Sequence, residues 1–210
     1  MDGLFPATGP LRRELYAKHL EFFRLGRVHS ERLFCAGNRC GKTVAGAYET
    51  TLDLTGLYPE WWEGRRFSCA IEAWVAGQTS NTTRDIVQLE LMGKFGAFGT
   101  GMIPADCILG SSLKGRPAHA VDTVSVKHAS GGVSLLGFKS YKEGASAFQG
   151  TAKHVIWFDE EPDFATYVEA NVRTMMVPVC PEGGIVMLTF TPLNGWSEVV
   201  ESFLGVKPQA

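Results

Sequence analysis

Ala36-Gly37-Asn38-Arg39-Cys40-Gly41-Lys42-Thr43 constrains this 210-residue chain more than any other stretch. It follows a short apolar run, Leu33 to Ala36, and opens a segment of helical character from Thr43 to Leu57. A strand, a glycine-bearing loop and a helix start, in that order, make a phosphate-binding loop. The glycines reach conformations that a Cβ forbids. Inward-facing backbone N–H groups and the positive end of the helix then receive phosphate oxygens. At this spacing Lys42 reaches the β- and γ-phosphates of a nucleoside triphosphate, and the Thr43 hydroxyl can ligate Mg²⁺. The strict pattern begins with Gly; here Ala36 stands in that place and Gly37 follows it.

A second element strengthens the first. Val155-Ile156-Trp157-Phe158 is an uninterrupted apolar run, as expected of a strand buried on both faces. It ends in Asp159-Glu160-Glu161-Pro162. A carboxylate at the strand tip, Asp159, suits a Mg²⁺ ion held partly through water. Glu160, one residue on, is placed to orient and deprotonate an attacking water. Taken alone, this is equally a strand ending in a solvated acidic turn; following the phosphate loop, it reads as the Walker B element of a hydrolase. A third run, Ile185 to Phe190, ends in Thr191-Pro192. A Thr at that tip could sense the γ-phosphate, although β-branched strand residues before a turn proline need no such role.

These segments resemble the ATPase domain of the large terminase subunit of tailed bacteriophages. The resemblance runs over about residues 15 to 200. It rests on Arg32 to Thr43, Phe148-Gln149-Gly150-Thr151, Trp157 to Pro162, and Thr189 to Pro192. It implies an α/β fold: a P-loop NTPase of the ASCE, RecA-like kind, with a doubly wound, mostly parallel sheet and an inserted β-hairpin. It implies ATP and Mg²⁺ as cofactors. Gly37, Asn38, Arg39, Cys40, Gly41, Lys42 and Thr43 would hold the nucleotide, and Thr43 and Asp159 the metal. Glu160 would be the catalytic base, with Lys42 and Arg39 neutralising charge on the γ-phosphate. Thr189 and Thr191 look like the motif coupling hydrolysis to DNA movement. Family members read adenine just upstream of the loop, where this chain carries His19 and Phe22-Phe23.

Two departures follow from the same resemblance. Several members place an arginine finger just before the Gly preceding Walker B; here that position is Gln149, and no Arg occurs between Arg116 and Arg173. An arginine finger contributes roughly 10³ to 10⁵ in rate, so Lys139, Lys142, Lys153 and Arg116 become candidates for a basic residue acting in trans. A complete large terminase also carries a C-terminal nuclease, and 210 residues leave no room for one after the Thr189 segment. The expectation is a single ATPase domain over 1–210, with a helical, adenine-side segment at about 1–31, a core at about 32–205, and no nuclease activity.

Composition suits one globular domain. No run reaches the ~18 apolar residues of a membrane span, and the first ten residues lack a signal-peptide pattern. The five cysteines, Cys35, Cys40, Cys69, Cys107 and Cys180, contain no Cys-x-x-Cys pair and read as free thiols. Cys35 and Cys69 lie in apolar runs and read as small core residues. The net charge of −2 hides an asymmetry. Residues 1–48 hold eight Lys or Arg against four Asp or Glu, a balance of +4, and residues 149–210 hold three against eight, −5. A local basic surface is enough for salt-sensitive phosphate contacts. Arg12, Arg13, Lys18, Arg24, Arg27 and Arg32, or Arg65 and Arg66, could form one.

The remaining periodicity predicts a helix over Arg12–Leu25 with Leu15, Leu20, Phe22 and Phe23 on its apolar side. It predicts a strand over Ala70–Ala76 and a helix from an Asn81 cap through Met92. Gln78 and Arg84 become weak DNA or sensor candidates. Gly93–Gly115 reads as loop, Val121–His128 and Val133–Lys139 as a hairpin, and a helix runs from Pro162 through Met176. Tyr58 to Trp62 reads as a packing anchor, and His119 and His128 as ordinary surface or core histidines. Three functions are compatible with these residues: an ATP-driven motor for double-stranded DNA, another P-loop ATPase such as a helicase-like one, or a nucleotide-binding assembly module. The resemblance favours the first. Its implied partners are double-stranded DNA, a portal protein, a small terminase subunit and further copies in a pentameric ring, with a monomer as the alternative for an isolated domain. No membrane is involved, and the implied location is the cytoplasm of the infected bacterium.

Overall fold

In a computed structural model the described residues are 3–175, 177 and 183–205. After a 3₁₀ turn (Arg13–Tyr16) come α1 (Ala17–Leu25), β1 (Glu31–Cys35) and α2 (Lys42–Thr55). Strand β2 (Glu72–Gly77) leads into α3 (Ser80–Thr82), a π-helical segment (Thr83–Gln88) and α4 (Leu89–Met92), which run end to end. Then follow β3 (Ile108–Leu113), β4 (Val121–Lys127), β5 (Val133–Ser140), β6 (Val155–Asp159), α5 (Phe164–Met175), β7 (Ile185–Phe190) and α6 (Glu198–Leu204).

The strands form one seven-stranded sheet in the order β1-β7-β6-β2-β5-β4-β3. The pairs β1–β7, β7–β6, β6–β2 and β2–β5 are parallel, whereas β5–β4 and β4–β3 are antiparallel. One strand, β7, is thus inserted between the phosphate-loop strand and the Asp159 strand, which is the ASCE arrangement. In register, Thr189 sits opposite both Phe34 and Asp159, so β1, β7 and β6 end at one edge. Ligands of open α/β sheets bind at such carboxyl ends.

The continuous apolar runs behave as parallel interior strands should. Every residue of β6 and of β7 is buried. One core layer lies on the α2 side and includes Leu52, Val75, Trp157 and Met187; the other, on the α5 and α6 side, includes Phe148, Phe158, Leu188 and Phe190. Burying each large side chain contributes roughly 1.5–3 kcal/mol. Helix α2 is almost wholly buried, and its interior includes an ion pair: Arg32 meets Glu49 at 2.7 and 3.0 Å and also donates to the Phe22 carbonyl.

Several expectations need correction. Gly93–Gly115 is not all loop: Ile108–Leu113 forms the edge strand β3 against β4, so the hairpin is part of a three-stranded antiparallel extension. The helix after β2 is capped by Thr79, not Asn81, through a reciprocal capping box with Thr82. Pro162 precedes α5 rather than opening it; the Asp163 carboxylate accepts from the Thr166 backbone N–H and hydroxyl. That helix is described to Met175, and Met176 lies outside the described residues, as does Cys180. Helix α2 stops at Thr55 because Gly56 takes a left-handed φ of 70°. Leu15 is exposed, since the first predicted turn of α1 is 3₁₀ and turns it outward. Cys35 is exposed because the last residue of β1 reaches the open edge. Arg32 belongs to no basic surface. Arg65 is taken up by the carbonyls of Gly26, Gly183 and Gly184, and Arg66 by those of Pro59 and Trp62. Trp62 and its neighbours do anchor the packing: the indole is buried and donates to the Arg65 carbonyl. His128 is a core histidine beside Gly56, and His119 a surface one.

Candidate nucleotide site

The turn from β1 into α2 carries two left-handed residues, Arg39 at φ 62° and Gly41 at φ 75°. This geometry tucks the loop under the start of α2. Lys42, the first residue of the helix, is buried, and its ammonium donates to the Gly37 carbonyl at 2.6 Å and the Thr191 hydroxyl at 3.0 Å. Arg39 is exposed at the rim. Asn38 Oδ1 and the Ala36 carbonyl lie 3.0 and 2.9 Å from Thr191 Oγ1, so the tip of β7 is fastened to the phosphate loop.

The two motifs meet directly. Thr43 Oγ1 lies 2.9 Å from Asp159 Oδ1, across 116 residues of sequence. Thr189 Oγ1 approaches the same carboxylate oxygen at 3.0 Å. Burial pushes the Asp159 carboxyl up to about 6; bonds from Thr43 and Thr189 oppose that rise, and neighbouring Glu160 adds to it. The fit to Mg²⁺ is good. A hydroxyl and a buried carboxylate are hard oxygen donors within reach of each other, and Mg²⁺ takes few protein ligands when phosphates and water supply the rest. Among the described residues no group of three or more His, Cys, Asp or Glu forms an all-protein cage.

Glu160 leaves the strand at φ 88°, a conformation unfavourable for a side chain with a Cβ, and its own N–H donates to the Thr189 carbonyl at 3.2 Å. Its carboxylate is exposed beside the Asp159–Thr43 pair. Glu161 points elsewhere: it accepts from Asn194 at 3.1 Å and from the Ser197 hydroxyl, which also caps α6. Burial raises the Tyr141 phenol and the three acidic neighbours add to the rise; the phenol reaches the Asp159 carbonyl at 3.4 Å.

Thr189 and Thr191 therefore have different partners. Thr189 is buried and bonded to the Asp159 carboxylate. Thr191 is the one that touches the phosphate-loop lysine.

On the other flank of the loop a cavity of about 480 Å³ is lined by Leu4, Phe5, Tyr16, His19, Arg39, Cys40, Gly41 and Val44, among others. His19 stacks edge-on to Phe34 at 4.9 Å; burial lowers its basicity, while the backbone of Cys40 and Gly41 raises it. Its ring faces Gly41 so closely that a Cβ there would lie 3.0 Å from Nε2. Phe22 does not line this cavity. It is buried against Phe34 at 5.2 Å with the Arg32 guanidinium over its ring, which removes it from the candidate nucleotide contacts.

Of the four basic candidates, Lys153 is buried, paired with Glu72 and set over Trp74, just ahead of β6 and far from the site edge. Lys139 also lies over Trp74, at 5.0 Å. Lys142 and Arg116 are exposed. Arg84 is bonded to Asp85 and the Ala118 carbonyl. Phe5, the place of Tyr16 beside the cavity and the Trp157–Thr189 contact escape sequence reasoning, because each depends on segments that only the fold brings together.

Comparison with known proteins gives the family. Residues 33–210 match the family described as "Terminase large subunit, T4likevirus-type, N-terminal". The large terminase subunit of Salmonella phage P22 is 37% identical over 211 aligned positions, covering 90% of this chain and 41% of that protein. The chain thus spans about two fifths of that relative. Two structures of the large terminase of a thermophilic bacteriophage, one in complex with ADP, superpose with TM-scores of 0.53 and 0.52 at 15% identity, over 83% of this chain and 37% of theirs. Those two share the fold. With a family match over most of its length and a relative of this identity, the chain belongs to the terminase large subunit family, in its T4likevirus-type N-terminal region.

Proposed function

We propose that this chain is a Mg²⁺-dependent ATPase that drives double-stranded DNA into a viral procapsid. The observation that carries the reading is the Thr43–Asp159 contact of 2.9 Å with Lys42 and Glu160 on either side. A phosphate-loop helix and an acidic strand tip so joined are the two halves of a nucleotide hydrolase. The ADP bound by the large terminase of the thermophilic bacteriophage supports the choice of ligand.

The roles follow from position. The loop from Gly37 to Thr43 cradles the phosphates with its N–H groups, and Lys42 exchanges its Gly37 and Thr191 acceptors for phosphate oxygens. Arg39 at the rim adds charge against the γ-phosphate. His19 and the apolar wall beside it take the base. Thr43 and Asp159 hold Mg²⁺, which neutralises phosphate charge when bound. Glu160 orients water and accepts its proton. When Lys42 turns to phosphate it leaves Thr191, so the tip of β7 registers the nucleotide; Glu161 passes motion at the acidic tip to Asn194 and Ser197.

Lys142 and Arg116 are the residues we assign to a neighbouring subunit's ATP, in a homo-oligomeric ring of five at a portal, with a small terminase subunit selecting DNA. Residues 3–205 would act as one ATPase unit in the host cytoplasm. Steady-state hydrolysis with and without duplex DNA tests the whole reading. DNA-stimulated hydrolysis that rises faster than linearly with protein concentration supports a motor completed by its neighbours. Hydrolysis indifferent to DNA rejects the translocase.

A further inference from the structure

Trp157 stands two residues before Asp159 and is fully buried. Its indole nitrogen can only donate, and it donates to Thr189 Oγ1 at 2.8 Å. The Thr189 proton then has two acceptors in reach, Asp159 Oδ1 at 3.0 Å and the Phe158 carbonyl at 3.4 Å. The carboxylate is nearer and takes the stronger, charge-assisted bond. Protons therefore point one way, from Trp157 to Thr189 to Asp159, and Thr43 donates to the same oxygen.

The indole is itself held by the phosphate-loop helix. Gly46, one turn beyond Thr43, leaves room for it, and a Cβ there would fall 2.2 Å from the indole Cε2. One turn of α2 thus carries the Thr43 hydroxyl and also sets where the indole lies.

We infer that Trp157 is a positioning residue for metal binding: by fixing the Thr189 hydroxyl it holds the Asp159 carboxylate toward Thr43. This rests on the proposed nucleotide site. Without the indole N–H, the Thr189 hydroxyl is free to turn to the Phe158 carbonyl, and Asp159 loses one of its two hydroxyl donors. Partners of this outer kind contribute roughly 10- to 100-fold to metal affinity.

The test is ADP binding by calorimetry across a Mg²⁺ series and in EDTA, with urea midpoints recorded alongside. Trp157→Phe and Thr189→Val should each raise the half-saturating Mg²⁺ by about 10-fold while leaving ADP affinity in EDTA within about twofold. Thr189→Ser, which keeps the hydroxyl, should behave as wild type. Trp157→Phe combined with Thr189→Val should be no worse in Mg²⁺ dependence than Thr189→Val alone, because both act through one bond. A wild-type Mg²⁺ requirement in Trp157→Phe would overturn the inference, as would equal losses of ADP affinity with and without Mg²⁺. So would additive effects in the double variant. A wild-type chain whose ADP binding ignores Mg²⁺ would sink the nucleotide-site reading, and the inference with it.

Discussion

The tips of β1, β6 and β7 and the opposite edge of the sheet, β3 with the segment after it, are built on different principles. At the tips, polar groups are buried and satisfy one another: Asp159 is 4% exposed and bonded by Thr43 and Thr189. At the far edge, Leu109 is 55% exposed, and among the described residues β3 pairs on one side only. A buried polar group tolerates few substitutions, because losing its partner costs about 1–3 kcal/mol. An exposed edge position loses little on substitution.

The sharpest way to break this contrast is chemical. Glu160→Gln should lower ATP turnover by about 10²- to 10⁴-fold while retaining nucleotide binding, since it removes a proton acceptor from an exposed side chain. Turnover assays beside calorimetry check both halves. Next in size is the ion pair beneath the site. Glu49→Ala strands the Arg32 guanidinium in the core and should cost about 3–5 kcal/mol in urea unfolding.

Asp159 tests whether function is held at the expense of stability. Its carboxyl is raised from 3.8 to about 6 in the folded chain. The folded state thus binds the proton more tightly than the unfolded one. The resulting stability is complete below about pH 4 and is lost as pH rises through about 6. By about pH 8 the buried charge costs on the order of 2–3 kcal/mol. In EDTA, Asp159→Asn should therefore melt higher than wild type at about pH 8, with the gap shrinking below about pH 6 and closing by about pH 4, and it should abolish hydrolysis. A melting difference that does not change with pH would contradict the shift. The smallest effects belong to the far edge: Leu113→Lys and Arg116→Ala should change folding stability by no more than about 0.5 kcal/mol. A larger loss there would mean that the edge is part of the core after all.

This contrast also explains what can be read from the sequence. Thr43 and Asp159 are legible as a pair because each follows a strand-like run in the sequence, and the fold brings them to 2.9 Å; the uninterrupted apolar runs of β6 and β7 mark interior strands. Strand β3 is hidden because every residue from Leu109 to Leu113 is exposed, which leaves it no alternating pattern. Arg32 misleads because a charge in sequence looks solvated until its partner, Glu49, is found 17 residues away. Cys35 misleads in the opposite sense, since an apolar run can end at an open edge. Phe5, from a segment without periodicity, and Tyr16, off the apolar side of the predicted helix, line the cavity beside His19, and only the fold brings them there. Thr189 and Thr191 both stand out in the sequence, yet their separate partners, Asp159 and Lys42, depend on strand register.

The measurement that bears most directly on the central claim is a single-turnover experiment with ATP and Mg²⁺ on wild type and Glu160→Gln. A water-activating nucleotide site predicts that both bind ATP with similar affinity and that only the wild type releases phosphate. Phosphate release by Glu160→Gln at the wild-type rate, or failure of the wild type to bind ATP, would contradict it.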